Sequence, residues 1–162
     1  GNNGSDYYHF TQRCWEGDIT AIRASVAWIR KFRPDVVLTH EPVFGDYDKP
    51  GHKIAGRATL EAFITAGGEK DLWPELTAIG LEPWQPKKLY CGSGETYPTT
   101  LDLTHIDKLE VGEGMTALEW ANWALTNFQS QGIYYAHTAE MSLMKSNVDL
   151  PPEEKSVMDG VK

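Results

Sequence analysis

PDVVLTHEPVFGDYDKPGHKIAGR, residues 34–57, reads as a strand, a loop and the start of a helix in immediate succession. Pro34 opens the strand, and Val36, Val37 and Leu38 form the unbroken apolar run expected of a strand covered on both faces of a parallel sheet. At Thr39 and His40 the run turns polar. Ligands of open α/β sheets bind in the crevice beyond the carboxyl ends of the strands, so Glu41 to Lys49 is expected to line that crevice. Pro50 suits the first position of a helix, where its missing N–H costs nothing. His52 then falls in the first helical turn, its ring able to point back to the loop that holds Asp46, Tyr47, Asp48 and Lys49.

The flanking sequence extends the same pattern. Asp18 is a good N-cap for a helix to about Phe32, with Ile19, Ile22, Val26 and Ile29 on one apolar stripe. Arg30, Lys31 and Arg33 fall at its C-terminal end, where cations suit the helix dipole. A second helix is expected from Pro50 to about Ala66, with Ile54, Ala58 and Ala62 on its stripe and Gly67–Gly68 ending it. Residues 69–87 form a long connection with Trp73 and Trp84, read either as a lid or as a surface cover pinned by the tryptophans. A strand is expected at Lys88–Cys91 and an edge strand at Thr99–Leu103, with Ile106–Val111 extended. The glycines of 92–94 are followed by Tyr97-Pro98 rather than by a helix, which argues against a phosphate loop. A third helix is expected from Met115 to Gln131, with Leu118, Ala121, Leu125 and Phe128 as its core stripe, then a short helix or cover over 134–144. The tail from Asn147 reads as a loosely attached C-terminal extension. The domain reading is one α/β domain over 1–146 and the extension over 147–162.

Composition narrows the function classes. A chain of 162 residues suits one core, and 41% hydrophobic with 23% charged residues is ordinary for a globular protein. The net charge of −8 argues against nucleic acid as a partner, because a phosphate backbone needs a basic footprint. No apolar run reaches the length of a membrane span. Cys14 and Cys91 lack metal-type spacing; they read as buried thiols of a reducing, cytoplasmic compartment, with a Cys14–Cys91 disulfide as the alternative. The opening GNNGSDYY lacks an initiating methionine, so a leader or a segment ahead of it is expected.

RPDVVLTHEPVFGDYDKPGHKIAGRATLEAF, residues 33–63, resembles a signature region of the LmbE-like family, also called the PIG-L or GlcNAc-PI de-N-acetylase family. That region runs R-P-D-V-V-L-T-H, then a loop ending Y-G-H-P-D-H, then a helix starting R-A-A-G-R-A. Lys88-Leu89-Tyr90 and Gln129-Ser130-Gln131-Gly132 continue the likeness weakly. The resemblance implies a Rossmann-like three-layer fold with a mainly parallel sheet. It also implies zinc-dependent hydrolysis of an N-acetyl group from a GlcNAc-type glycoconjugate. By position it makes His52 a zinc ligand, Tyr47 a contact to the oxyanion or substrate, and Lys49 the occupant of a histidine's place. Lys49 would stabilise the oxyanion. At a pKa of about 10.4, an unperturbed lysine holds its proton too tightly for acid catalysis near neutrality. His40, Asp46 and Asp48 are the candidate substrate-binding residues, and they are also the nearest sources of further ligands. Gly51 replaces the family's aspartate. The family's A-H-P-D-D-E strand, which carries two ligands and the base, has no counterpart in residues 1–33. The expected partners are therefore a small-molecule or glycoconjugate substrate, and either a homo-oligomer or a second chain that supplies the missing strand. The alternative function is a catalytically inactive relative that binds carbohydrate or a partner protein.

Overall fold

The computed structural model describes residues 17–43, 50–68, 70–92, 96–102, 109–127 and 140–162. Helix α1 is Asp18–Phe32. Its N-cap is Gly17 rather than Asp18, and Asp18 instead lies in the first turn, where its charge suits the helix dipole. Arg33 ends the helix in the left-handed conformation, φ 51°, and its N–H donates to the Ile29 carbonyl. Strand β1, Val36–Thr39, follows at once. Helix α2 is Pro50–Thr65, and a one-turn helix, α3, is Pro74–Thr77. Strands β2 (Lys88–Gly92) and β3 (Leu101–Asp102) come next. A two-stranded unit of β4 (Glu110–Gly112) and β5 (Met115–Thr116) leads into helix α4, Ala117–Leu125. The last strand is β6, Glu140–Ser146.

The main sheet has the order β1-β2-β6-β3. It is mixed rather than mainly parallel. β1 and β2 are parallel, whereas β6 is antiparallel to both of its neighbours. The sequence reading missed β6 because it is a central strand covered on both faces. Glu, Met, Leu and Lys in EMSLMKS also suit a helix, and no polar–apolar alternation marks the strand. Its Ser142 is buried and donates to the Tyr97 carbonyl at 2.7 Å.

One face of the sheet packs on α2, where Phe63 meets Leu89, Cys91 and Met144, with Val37, Leu60 and Tyr97 at the margin. Cys91 is thus a buried thiol, and Cys14 lies outside the described residues. Helix α1 packs on α2 through Val26, Ile29, Ala62 and Ala66. The other face carries Tyr90, Leu101, Val36 and Leu143, with Val157 of the tail packed against them. The tail is therefore held to the sheet. Fully buried Lys88 donates to Glu154 at 3.0 Å and to the Asp159 carbonyl at 2.7 Å, and the Tyr90 hydroxyl donates to Glu154 at 2.6 Å. Burial and then the Glu154 carboxylate push the Tyr90 phenol above its usual range.

Connection 69–87 takes the pinned form. Trp73 is buried and donates to Thr65 Oγ1, and Trp84 donates to the Pro34 carbonyl. Arg30 lies in the last turn of α1, as expected, and has a second role there. It is buried, and it donates to the carbonyls of Ala66, Trp73 and Leu81, to Thr77 Oγ1 and to Asp71.

Three burial expectations fail. Leu38 is 55% exposed and Val37 only half-buried, because among the described residues β1 is the end strand of the sheet and not an internal one. Ile19 is exposed and leaves the α1 stripe. The third helix starts at Ala117, after β5, and none of its residues is buried, because it packs on its own β4–β5 unit. Thr116 and Glu119 form its capping box. Residues 128–139, including Phe128 of that stripe, lie outside the described residues. Among the described residues, no helix is long and apolar enough to cross a membrane.

Candidate functional site

The carboxyl end of β1 is fixed by an unusually close helix. A Cβ on Gly56 would lie 2.5 Å from the His40 carbonyl oxygen and 2.9 Å from Pro42 Cα, so only glycine lets α2 sit this near. Arg57 Nε donates to the Pro42 carbonyl at 3.0 Å. Glu41, only 2% exposed, accepts from the Val43 N–H at 2.9 Å through Oε2. Three contacts thus hold the backbone bend that follows the strand.

This bend brings His40 against His52. Their rings stack at 4.0 Å between centroids and 10° between planes. His52 Nδ1 is buried and has no hydrogen-bond partner among the described residues. Leaving a buried polar atom without a partner costs about 1–3 kcal/mol, so such an atom calls for an explanation. The sequence placed His52 in the first turn of the helix after the strand, and it is found there, facing His40. Asp46, Tyr47, Asp48 and Lys49 lie outside the described residues.

A cavity of about 410 Å³ is bordered by Pro42 and Val43 of the bend, Ile54, Arg57 and Glu61 of α2, Asp18 and Ile22 of α1, and Tyr97, and neither His40 nor His52 is among its lining residues. Burial first, then the charges of Cys91 and Glu41, raise the Tyr97 phenol above its ordinary value. Glu41, Gly56, Arg57 and Tyr97 escaped the sequence reading. Gly56 carried a signal, because an isolated glycine inside a helix often marks a close backbone approach. Tyr97 carried none, since its place depends on β6, the strand that was not foreseen.

A zinc ion lies in the plane of each imidazole that binds it and needs about three protein ligands. Two rings stacked nearly parallel share no such plane, so His40 and His52 in this arrangement cannot bind one ion together. Among the described residues, no group of three His, Cys, Asp or Glu side chains is placed to hold a metal. The described residues alone therefore do not form a zinc centre. They do offer one buried nitrogen with no other role, on His52. Gly51 has open space where a side chain would project, so an aspartate would be accommodated there.

No protein-family model matches the chain. The chain is similar to two curated proteins, each named 1D-myo-inositol 2-acetamido-2-deoxy-alpha-D-glucopyranoside deacetylase. One, from Segniliparus rotundus, is 43% identical over 75 residues, which cover 46% of this chain and 22% of that protein. The other, from Kineococcus radiotolerans, is 39% identical over 62 residues, 38% of this chain and 16% of that protein. The matched region thus spans less than a quarter of either relative.

Proposed function

We propose that this chain is a Rossmann-like, LmbE-type N-deacetylase domain, acting on the acetamido group of a GlcNAc-type glycoconjugate. The likeness to two proteins named as deacetylases of an acetamido-glucopyranosyl inositol carries the reading. The meeting of His40 and His52 at the carboxyl end of β1 supports it. In this reaction water adds to the acetyl carbonyl carbon. The tetrahedral oxyanion collapses with cleavage of the C–N bond, the amine takes up a proton, and acetate leaves. Lys49 and Tyr47 are assigned to the oxyanion, and His40, Asp46 and Asp48 to the sugar hydroxyls. Zinc belongs to the proposal, with His52 the one described residue that would hold it.

A second reading is a catalytically inactive, carbohydrate-binding relative. Lys49 and Gly51, standing where the family motif has histidine and aspartate, favour it. Acetate release from N-acetylglucosaminyl inositol and simpler GlcNAc glycosides, with added zinc, separates the two. The deacetylase reading expects release that His52→Ala abolishes together with bound metal. Lys49→Ala should lower turnover by about 10²–10³, the usual loss for one oxyanion donor, and leave metal content unchanged. Binding of these glycosides without acetate release, across the whole panel, leaves the second reading.

A further inference from the structure

The two stacked histidines are carried by different parts of the fold. His40 follows β1, whose last residue, Thr39, is paired with Cys91 of β2. His52 belongs to the first turn of α2. The 4.0 Å between their ring centroids therefore depends on how near α2 comes to the bend at His40–Val43.

Two residues of α2 govern that approach. Gly56 lies four positions after His52, on the same side of the helix and one turn further on. One side of α2 thus meets His40 twice, at its ring through His52 and at its carbonyl oxygen through Gly56. A methyl group at Gly56 would have to withdraw on the order of 1 Å from that oxygen to reach ordinary contact. The atoms it meets are backbone atoms of residues 40–42, which cannot swing aside as a side chain would. Arg57, the next residue, ties the helix to the same bend, since its Nε donates to the Pro42 carbonyl at 3.0 Å. Gly56 lets the helix come near and Arg57 keeps it there.

Elsewhere α2 packs on other neighbours. Phe63 meets the sheet, Ala62 meets α1, and Ile54 and Ala58 pack with Ala21 of α1. A glycine inside a helix is unfavourable in itself, so its presence in the turn after His52 has a local reason. That reason is the contact with His40.

We propose that Gly56 and Arg57 are positioning residues, which set the spacing of the two imidazoles and thereby their aim at the reacting group. The consequence for turnover rests on the deacetylase reading, whereas the spacing does not.

The test compares the full chain with Gly56→Ala, Arg57→Gln and Arg57→Lys. Proton cross-relaxation between the His40 and His52 rings, without added metal, reads the spacing. Acetate release from GlcNAc glycosides reads kcat and KM, and thermal unfolding reads stability. The unsubstituted chain should show ring-to-ring cross-peaks, and Gly56→Ala and Arg57→Gln should weaken them several-fold. A misplacement of about 1 Å lowers turnover about 100-fold, so kcat should fall by that order in both variants. KM should change by less than about threefold, because neither residue is assigned to the substrate. An ammonium also donates to a carbonyl, so Arg57→Lys should keep the cross-peaks and hold kcat within about tenfold of the original. Cross-peaks unchanged in Arg57→Gln would overturn the proposal, even if the variant melts lower, since that is the mark of a merely structural role. A rise in KM with kcat and cross-peaks intact would overturn it as well, by placing Arg57 on the substrate. If Gly56→Ala does not fold, the two Arg57 variants decide. No acetate from the unsubstituted chain would remove the deacetylase reading, and the cross-peaks would still decide whether Gly56 and Arg57 set the pair.

Discussion

Arg30 and His52 sit on the two long helices that pack against each other, and the inside of the protein treats them oppositely. The buried Arg30 guanidinium makes five hydrogen bonds, which tie α1 to the end of α2 and to connection 69–87. His52 has a buried ring nitrogen with no partner among the described residues, and a second imidazole stacked on its face. Folding alone accounts for Arg30, because its donors meet acceptors that offset the desolvation of the guanidinium. Folding alone does not account for His52. A buried polar group that gains nothing from its position is the kind of residue a site retains against stability. The contrast separates architecture from candidate chemistry without appeal to any relative.

The largest effect is expected at Arg30. Arg30→Met keeps much of the apolar stem but removes the guanidinium from the Leu81 carbonyl and from Asp71, while the Ala66 and Trp73 carbonyls and Asp71 keep their other donors. Hydrogen bonds to charged groups contribute about 1.5–3 kcal/mol, and with five lost at once urea unfolding should show a loss at or above that range. A loss under 1 kcal/mol would mean that water replaces the guanidinium, and the contrast with His52 would collapse.

The second effect concerns the tail. Glu154→Gln keeps an acceptor for Tyr90 but leaves buried Lys88 without its counter-charge. Hydrogen bonds to charged groups contribute about 1.5–3 kcal/mol, and a destabilisation in that range is expected, with faster amide exchange across 148–162. A tail that exchanges freely in the unsubstituted chain would show that this cluster holds nothing down.

The third effect has a pH signature. Hydrogen bonds from Thr77, then from Arg30 and the Trp73 N–H, hold the Asp71 carboxyl down at about 2. Its folded value lies below the unfolded value of about 3.9, so the stabilisation is fully present above that value and is lost as pH falls toward 2. Asp71→Asn should therefore melt lower than the unsubstituted chain at neutral pH, and the gap should close between about pH 4 and pH 2. A gap constant across that window would remove Asp71 from the cluster.

How legible each cluster was follows from the range of the interactions that form it. His52 was readable because strand, loop and helix follow one another locally, and Pro50 marks the helix start. Arg30 was legible as a helix-end cation but not as a buried hub, because its acceptors lie far along the chain, beyond α2. The parallel β1–β2 pair follows from two apolar runs separated by a helix. The mixed sheet does not, because β6 has a helix-like composition and its strand character comes from neighbours on both faces. Val36–Leu38 looked like an internal strand from composition alone, but which strand ends a sheet is not encoded in that strand. The place of β1 at the end of the sheet, among the described residues, became visible only in three dimensions.

The smallest change in stability, and the sharpest test of the contrast, is expected at His52. Replacing an unsatisfied buried polar group by an apolar one of similar shape removes a penalty and adds apolar contact. His52→Leu should therefore leave unfolding stability unchanged or raise it by up to about 1 kcal/mol, although the position is half-buried. Stacking with His40 is lost, and aromatic pairs contribute about 0.5–1.5 kcal/mol beyond their area, which sets the lower bound. His52→Phe keeps a ring against His40 and serves as the control; it should equal or exceed the Leu variant. If the proposed function holds, both variants lose acetate release while folding as well as the original chain. Should both lose more than about 2 kcal/mol, His52 has a partner within the fold after all. It would then join Arg30 as part of the architecture, and the case for chemistry at the carboxyl end of β1 would rest on the relatives alone.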